Sequence, residues 1–226
     1  MGLILQIDTA TKVCSVSISR DGVEIATRDM CEENAHSTIL TVMIDELFKE
    51  IGLEIRDLSA VAVSIGPGSY TGLRIGLTVA KGICYGLKIP LIAVPTLLHM
   101  AYGALQLTSS HDYDLLCPMI DARRMEVYAA VYDKELNEIE KTSPVILTET
   151  SFTPHLNNKK ILFFGDGSDK SKSVLLSPNA LFIDFLPSAK WMSFLSNSYY
   201  NNKTFENIAY ATPQYLKEFQ TTTPKN

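Results

Sequence analysis

The sequence contains no apolar run close to the ~20 residues that a membrane-spanning helix requires, because charged residues or glycines interrupt its hydrophobic stretches. Residues 1–5 also lack the basic side chains that begin a signal peptide. We therefore expect a protein that resides in the cytoplasm and has no membrane partner.

Cysteine spacing and net charge exclude further classes. The four cysteines stand apart without a CxxC pair, so the sequence indicates neither a zinc knuckle nor a disulfide framework. Basic residues are in the minority, since 20 Lys and Arg face 25 Asp and Glu. A protein that binds nucleic acid strongly and unaided usually presents a basic face to the phosphates. Any contact with RNA is therefore expected to need a partner.

Signatures of catalysis and of metal binding are also missing from the sequence. None of the four histidines has a partner at the HxxxH or HxxE spacing of metal-binding helices. Ser69 follows a glycine turn, but its surroundings lack the GxSxG order of a nucleophile elbow. A helix cap at Ser69 or Thr71 explains this stretch better. We predict no catalytic residue and no metal ligand.

The first half of the chain has the pattern of a mixed α/β lobe. Apolar residues alternate with serines over residues 14–19, which predicts a half-buried strand, and Asp21-Gly22 predicts a tight hairpin turn. An apolar stripe over residues 39–51 predicts a helix that Ser37 caps and Gly52 ends. The other predicted elements are strands at 3–7, 59–65 and 91–94 and helices at 71–87 and from about 96. This order is that of a ribonuclease-H-like lobe.

The second half repeats this scheme. The segment around Asp8 aligns with the segment around Asp121, and the strand at 161–164 runs into a glycine turn as the strand before Gly66 does. We predict an α/β protein of two ribonuclease-H-like lobes, with mixed sheets flanked by helices, as in the actin, sugar-kinase and heat-shock-chaperone (ASKHA) superfamily. The predicted units are residues 1–106, residues 107–219 and a disordered tail at 220–226.

In that superfamily the cleft between the lobes binds a nucleotide, with carboxylates that hold Mg²⁺ through water and glycine amides that contact phosphates. The candidate contacts here are Asp8, Thr9, Gly66, Gly68 and Ser69. Bulkier residues stand where the hairpins of the superfamily have glycine, most clearly Arg123 and Arg124. Two interpretations of Asp8 and Asp121 stay open: relics that cap a turn, or weak contacts to a Mg-nucleotide.

The chain contains three distinctive segments: IDTATKVCSVSI, GPGSYTGLRIGLTVAKGICYGLKIPLIAVPTL and MIDARRMEVYAAVY. Together they resemble the bacterial TsaB (YeaZ) family. The resemblance implies a non-catalytic platform subunit of the machinery that forms N6-threonylcarbamoyladenosine in tRNA, binding and activating the catalytic paralogue TsaD together with the ATPase TsaE. It further implies that the protein contacts tRNA only through the complex and forms a homodimer when alone. The resemblance implies no cofactor for the isolated protein, and it leaves open whether ATP or ADP with Mg binds in the assembled complex. The alternative is a free-standing ATP-dependent phosphotransferase of the sugar-kinase type.

The catalytic relatives carry two metal-binding histidines, four residues apart, on the helix after the strand at 91–94. Thr96 and Met100 occupy those positions here, and His99 stands one step away. The resemblance therefore implies that His99 is an ordinary helix residue and that the metal site is missing.

A stripe of small residues runs along the helix predicted at 71–87. Gly72, Gly76, Ala80 and Cys84 are spaced by four, with Gly82 and Gly86 on a neighbouring line. Because each helical glycine costs ~1 kcal/mol relative to alanine, close packing must compensate, either on the protein's own sheet or on a partner helix. The predicted partner interface is Ile39, Met43, Leu47, Gly72, Arg74, Gly76 and Ala80. Arg74 could bind a carboxylate or phosphate, or form an ion pair between the lobes.

Overall fold

The computed structural model describes residues 2–31, 36–108 and 112–217 of the chain. The strands of its first sheet are β1 (Leu3–Asp8), β2 (Val13–Arg20), β3 (Val23–Cys31), β4 (Ala60–Gly66) and β5 (Leu91–Pro95). They lie in the order β3-β2-β1-β4-β5. The first three strands are antiparallel neighbours, whereas β4 and β5 continue the sheet in parallel with β1.

The second sheet repeats this topology. Its strands are β6 (Leu115–Asp121), β7 (Glu126–Tyr132), β8 (Glu138–Ile146), β9 (Ile161–Phe164) and β10 (Ala180–Phe182). The order β8-β7-β6-β9-β10 and the strand directions match those of the first sheet. Asp8 and Asp121 therefore end equivalent strands. Gly66 and Gly165 both stand at the ends of equivalent parallel strands, with φ of 122° and 93°. The predicted two-lobed fold is confirmed.

Helices cover both sheets. They are α1 (His36–Ile51), α2 (Tyr70–Leu87), α3 (Thr96–Leu107), α4 (Thr153–Leu156), α5 (Ser168–Ser171) and α6 (Ser193–Asn201). Helices α1 and α2 pack on one face of the first sheet. Helix α3 joins the lobes and packs on the second sheet through Leu97 and Met100. Among the described residues no helix is long and apolar enough to cross a membrane.

Two local predictions about the first lobe are wrong. Helix α1 begins at His36, so Ser37 lies inside its first turn and is not the cap. Strand β2 is buried on both faces, because a 3₁₀ turn at Ala189–Met192 and helix α6 return to cover the side that carries the serines. The Ala189 N–H donates to the Ser15 hydroxyl at 2.7 Å, which satisfies that buried polar group.

This return of the chain also differs from the predicted division into units. Residues 189–201 pack on the first sheet, although the sequence placed all of 107–219 in the second lobe. Residues 189–201 are far from the strands of the first sheet in the sequence, so no pattern within those strands indicates what covers them. The other boundaries stay predictions, and the predicted tail at 220–226 lies outside the described residues.

Candidate functional site

The turns that follow β1 and β4 lie against each other where a nucleotide-binding cleft would open. The Ser69 N–H donates a hydrogen bond of 2.6 Å to the carbonyl of Ala10. A Cβ added to Gly68 would lie 2.4 Å from the same oxygen, so only glycine permits this approach. Gly68 therefore joins two turns of the protein and leaves no open turn for a phosphate.

Thr9 fixes the start of α2 in the same way. Its side chain is fully buried, and its hydroxyl donates to the Gly72 carbonyl at 2.8 Å. A Cβ on Gly72 would lie 2.1 Å from the Thr9 carbonyl oxygen, and a Cβ on Gly76 would lie 2.3 Å from the Thr9 hydroxyl. The small residues of α2 therefore allow the helix to pack directly on the loop after β1.

Asp8 is sealed inside the protein by two contacts. One carboxylate oxygen accepts a hydrogen bond of 3.0 Å from the Ala10 N–H. The other lies 3.3 Å from Nε2 of His99, and the two side chains are 2% and 0% exposed. Neither ring nitrogen of His99 has a well-formed hydrogen bond within the described residues, so the contact is a close approach of the imidazole ring to the carboxylate. The sequence did not identify His99 as the partner of Asp8.

This environment decides whether a Mg-nucleotide fits. Burial acts to raise the pKa of Asp8, but the facing His99 and the Ala10 N–H outweigh it and hold that pKa below its ordinary value. The carboxylate is therefore ionised, yet protein groups occupy it and water cannot reach it. A Mg²⁺ ion held through water at Asp8 does not fit this arrangement. No group of three or more His, Cys, Asp or Glu side chains in the described residues is placed to hold a metal.

Asp121, the counterpart of Asp8 in the second lobe, stands in a different environment. It is half exposed, and its carboxylate accepts hydrogen bonds from Lys170 Nζ at 2.7 Å and from the Arg123 N–H at 2.6 Å. Arg123 and Arg124 both have positive φ values, 68° and 49°, so arginines do occupy the turn that the superfamily leaves open. Asp121 therefore stabilises the turn through the Arg123 N–H and forms an ion pair with Lys170.

Ser69 caps α2, as predicted, by accepting a hydrogen bond of 3.2 Å from the Gly72 N–H. It also lines a cleft of about 480 Å³ between the first turns of α1 and α2. The lining residues are Thr11, Lys12, His36, Ser37, Ser69, Thr71, Gly72 and Ile75. The hydroxyls, the ammonium group and the helix ends of this cleft are the groups that could hold an anion. Of the predicted cofactor residues, only Ser69 lines it.

Arg74 forms no ion pair between the lobes within the part of the chain that the structure describes, and its binding of a carboxylate or phosphate stays a prediction. Its guanidinium lies 4.2 Å from the centre of the Tyr70 ring, and its Nε donates to the Tyr215 hydroxyl at 2.8 Å. This arrangement is a cation–π contact with one hydrogen bond to an aromatic side chain. Nothing in the local pattern around Arg74 pointed to Tyr215, which lies far along the chain.

The predicted partner interface requires a correction. Five of its residues are buried within the protein's own first lobe: Met43, Leu47, Gly72, Gly76 and Ala80. Of its other two members, Arg74 is exposed and Ile39 is partly exposed. The four-residue spacing indicated close packing correctly, but the packing is on the protein's own sheet.

A different side of α2 faces outward. Gly82 and Gly86 are exposed, and a Cβ added to either would meet no described atom within 4 Å. Partly exposed aliphatic side chains accompany them on the same side of the helix. We call this surface the outer face of α2, and its residues are Ile75, Val79, Gly82, Ile83 and Gly86. The neighbouring line of glycines in the sequence was the signal for it.

The site can be compared with known proteins. The family model described as TsaD, tRNA N6-adenosine threonylcarbamoyltransferase, matches residues 31–224. The tRNA threonylcarbamoyladenosine biosynthesis protein TsaB of Escherichia coli is 38% identical over 65% of this chain and 63% of its own length, less than two thirds of it. The protein of the same name from Buchnera aphidicola subsp. Baizongia pistaciae is 30% identical over 95% of this chain and 98% of its own.

A solved structure extends the likeness to the fold. A Pseudomonas aeruginosa protein, described as similar to the peptidase YEAZ, superimposes with a TM-score of 0.85 at 25% identity. The superposition covers 96% of this chain and 100% of that one. The similarity therefore includes both lobes and the return of the chain to the first sheet.

Proposed function

The chain belongs to the TsaB (YeaZ) family of tRNA threonylcarbamoyladenosine biosynthesis proteins, and from that premise we propose that it is a non-catalytic platform subunit. In this role it binds and activates the catalytic paralogue TsaD together with the ATPase TsaE in the cytoplasm. It contacts tRNA only through the assembled complex. Alone, it forms a homodimer through the same surface that receives TsaD.

The sealed Asp8 carries the non-catalytic part of the proposal. An ATPase of this superfamily needs the first carboxylate free to hold Mg²⁺ through water. Here His99 and Ala10 occupy both oxygens of that carboxylate. The same contact opposes the alternative of a sugar-kinase-type phosphotransferase, which would depend on Asp8. Whether ATP or ADP with Mg binds in the assembled complex stays a prediction.

The outer face of α2 supports the platform role. Gly82 lies inside α2 and lowers the stability of the helix by ~1 kcal/mol, whereas Gly86 lies in its last turn. No internal contact compensates for Gly82 within the described residues. The two glycines do allow another backbone to approach closely, with partly exposed aliphatic side chains beside them. A helix of a related fold, such as the paralogue has, is the kind of element that packs against such a surface. We therefore place the interface on the outer face.

The proposal can be tested by co-purification of the tagged chain with TsaD. Gly82→Glu puts a charge on the outer face without an internal clash, and we expect it to weaken TsaD binding about tenfold or more, since each 1.4 kcal/mol is a factor of ten. Leu176→Glu is the matched control, because Leu176 is 78% exposed on the second lobe. Equal retention of TsaD by both variants would contradict the interface. Turnover of ATP by the isolated chain would contradict the non-catalytic role.

A further inference from the structure

The last described residues of the chain follow a defined path along the first lobe. The Glu206 N–H donates to the Leu91 carbonyl at 2.9 Å, so the segment begins beside strand β5. Ala211 is then buried against the core of the first lobe. The Gln214 N–H donates to the carbonyl of Ile65 at 2.8 Å, at the end of β4. The segment therefore reaches the carboxyl ends of the strands, where the turns of the candidate site lie.

Gly66 leaves the space that this segment occupies. A Cβ added to Gly66 would lie 2.8 Å from the backbone oxygen of Gln214, and the backbone of Gly66 has a φ of 122° that favours glycine. The first glycine of the GPGSYTGLRIG motif thus leaves room for residues 211–217. The motif is covered by the protein's own chain.

Tyr215 anchors the segment on α2. Its ring lies 5.0 Å from the Tyr70 ring, centre to centre, and its hydroxyl accepts the hydrogen bond from Arg74. Arg74 in turn lies over the Tyr70 ring. The two rings and the guanidinium form one cluster, in which each member contacts the other two.

The next contact crosses to the other lobe. Lys217 forms an ion pair with Glu126, which begins strand β7 of the second sheet. Glu126 is the less exposed of the two side chains, at 20% against 36%. Residues 211–217 therefore contact α2 on one lobe and β7 on the other. The polypeptide itself passes between the lobes elsewhere, after α3 and again before the turn at residue 189.

We propose that residues 211–217 are a latch that holds the two lobes together, from the carboxyl end of β4 to the start of β7. Tyr215 is its anchor on the first lobe and Lys217 its anchor on the second. Release of the latch removes one contact between the lobes, leaves the packing of α3 on the second sheet, about which the second lobe can then move, and uncovers Gly66. Because Arg74 precedes Ile75 of the outer face directly in α2, a protein docked on that face lies beside the Tyr215 anchor. That last step rests on the proposed function, whereas the latch itself does not.

The latch is tested on the isolated full-length chain. Spin labels at Val23→Cys and Leu176→Cys, in a Cys31→Ser background, report the distance between the lobes, because both positions are more than two thirds exposed. We expect a narrow distance distribution for this parent and a broader, longer one for the double variant Tyr215→Ala/Lys217→Glu. Tyr210→Ala is the matched control, since Tyr210 precedes the latch and is 82% exposed. An unchanged distribution in the double variant overturns the latch.

Two further measurements separate the anchors. Amide hydrogen exchange of Gln214 should become about tenfold faster in Tyr215→Ala, the order of magnitude expected when one hydrogen bond and its packing are lost. Lys217→Glu should broaden the distance distribution, and adding Glu126→Lys should restore it by re-forming the ion pair in reverse. Failure of this restoration contradicts the second anchor.

The step that involves docking has its own readout. Addition of TsaD to the labelled parent should lengthen the distance between the lobes, and bound TsaD without such a change contradicts the coupling. If TsaD does not bind at all, the proposed function fails while the distances of the isolated chain still decide the latch.

Discussion

Nε2 of His99 lies 3.3 Å from a carboxylate oxygen of Asp8, with both side chains excluded from water. Asp121, at the equivalent position of the second lobe, is half exposed and pairs with Lys170 at 2.7 Å. The duplicated fold has thus placed the same residue type in two opposite environments. In the first lobe the carboxylate is part of the core, and in the second it is part of a solvated turn.

The first prediction compares these two carboxylates. Asp8→Ala leaves His99 buried without its partner and removes the acceptor of the Ala10 N–H, and a buried polar group left unsatisfied typically costs about 1–3 kcal/mol of the free energy of unfolding. Asp121→Ala is the matched control, for which we expect a loss of less than about 1 kcal/mol, as for exposed pairs. Urea denaturation of both variants measures the difference. A loss below about 1 kcal/mol for Asp8→Ala would contradict a stabilising role of the Asp8–His99 contact.

The second prediction concerns the pH dependence of that contact. The pKa of Asp8 is lowered in the folded protein, so its contribution to stability is fully present above the unfolded value, about 3.9, and is lost as pH falls through the folded value. Asp8→Asn cannot ionise at this position. The difference in unfolding free energy between parent and Asp8→Asn should therefore shrink as the pH falls below about 4. A difference that does not change with pH would contradict the ionised state of Asp8.

The third prediction is that the isolated protein binds no stoichiometric zinc or iron. His99 is fully buried against Asp8, and Thr96 donates or accepts a hydrogen bond of 2.7 Å with Ser64, so neither residue is available to a metal. Elemental analysis of protein purified without chelators measures the metal content. A stoichiometric signal that disappears in a His99→Ala variant would overturn the prediction.

The sequence predicted the order of elements because that order depends on local periodicity, and it predicted the duplication because segments of the two halves align. The sequence could not predict which elements cover each face of the two sheets. The serines of β2 alternate as in a half-exposed strand, yet Ser15 is buried because Ala189, far along the chain, hydrogen-bonds to it. The same limit applies to the site. The spacing of Gly72 and Gly76 indicated close packing, but the surface they pack on depends on where Thr9 lies in the fold.

The fourth prediction tests the element that returns to the first lobe. A Cβ added to Gly103 would lie 2.6 Å from the ring of Trp191, which is the single tryptophan of the chain. Gly103→Ala should therefore displace the ring, shift the tryptophan fluorescence and lower stability by about 1–3 kcal/mol, as overpacking does. Gly86→Ala is the control, since its Cβ meets no described atom within 4 Å. An unchanged emission spectrum in Gly103→Ala would contradict the packing of Trp191 on α3.

The last prediction concerns two glycines of α2 whose environments are opposite. Gly76 faces the Thr9 hydroxyl, which is buried and already bonded to the Gly72 carbonyl, so Thr9 has little freedom to move away from an added Cβ. Gly76→Ala should therefore lower the free energy of unfolding by about 1–3 kcal/mol. Gly82 faces outward, and Gly82→Ala should raise it by about 0.5–1 kcal/mol, because alanine is the better helix former.

Gly76→Ala and Gly82→Leu together separate folding from association. Gly82→Leu puts a branched side chain on the outer face, where we expect it to weaken TsaD binding. The isolated Gly82→Leu chain should stay at least as stable as the parent. Gly76→Ala should lower stability and leave the affinity of the folded fraction unchanged. Urea denaturation and sedimentation velocity with and without TsaD measure the two effects. A destabilised Gly82→Leu with unaltered association would place the outer face inside the protein's own packing and remove it from the interface.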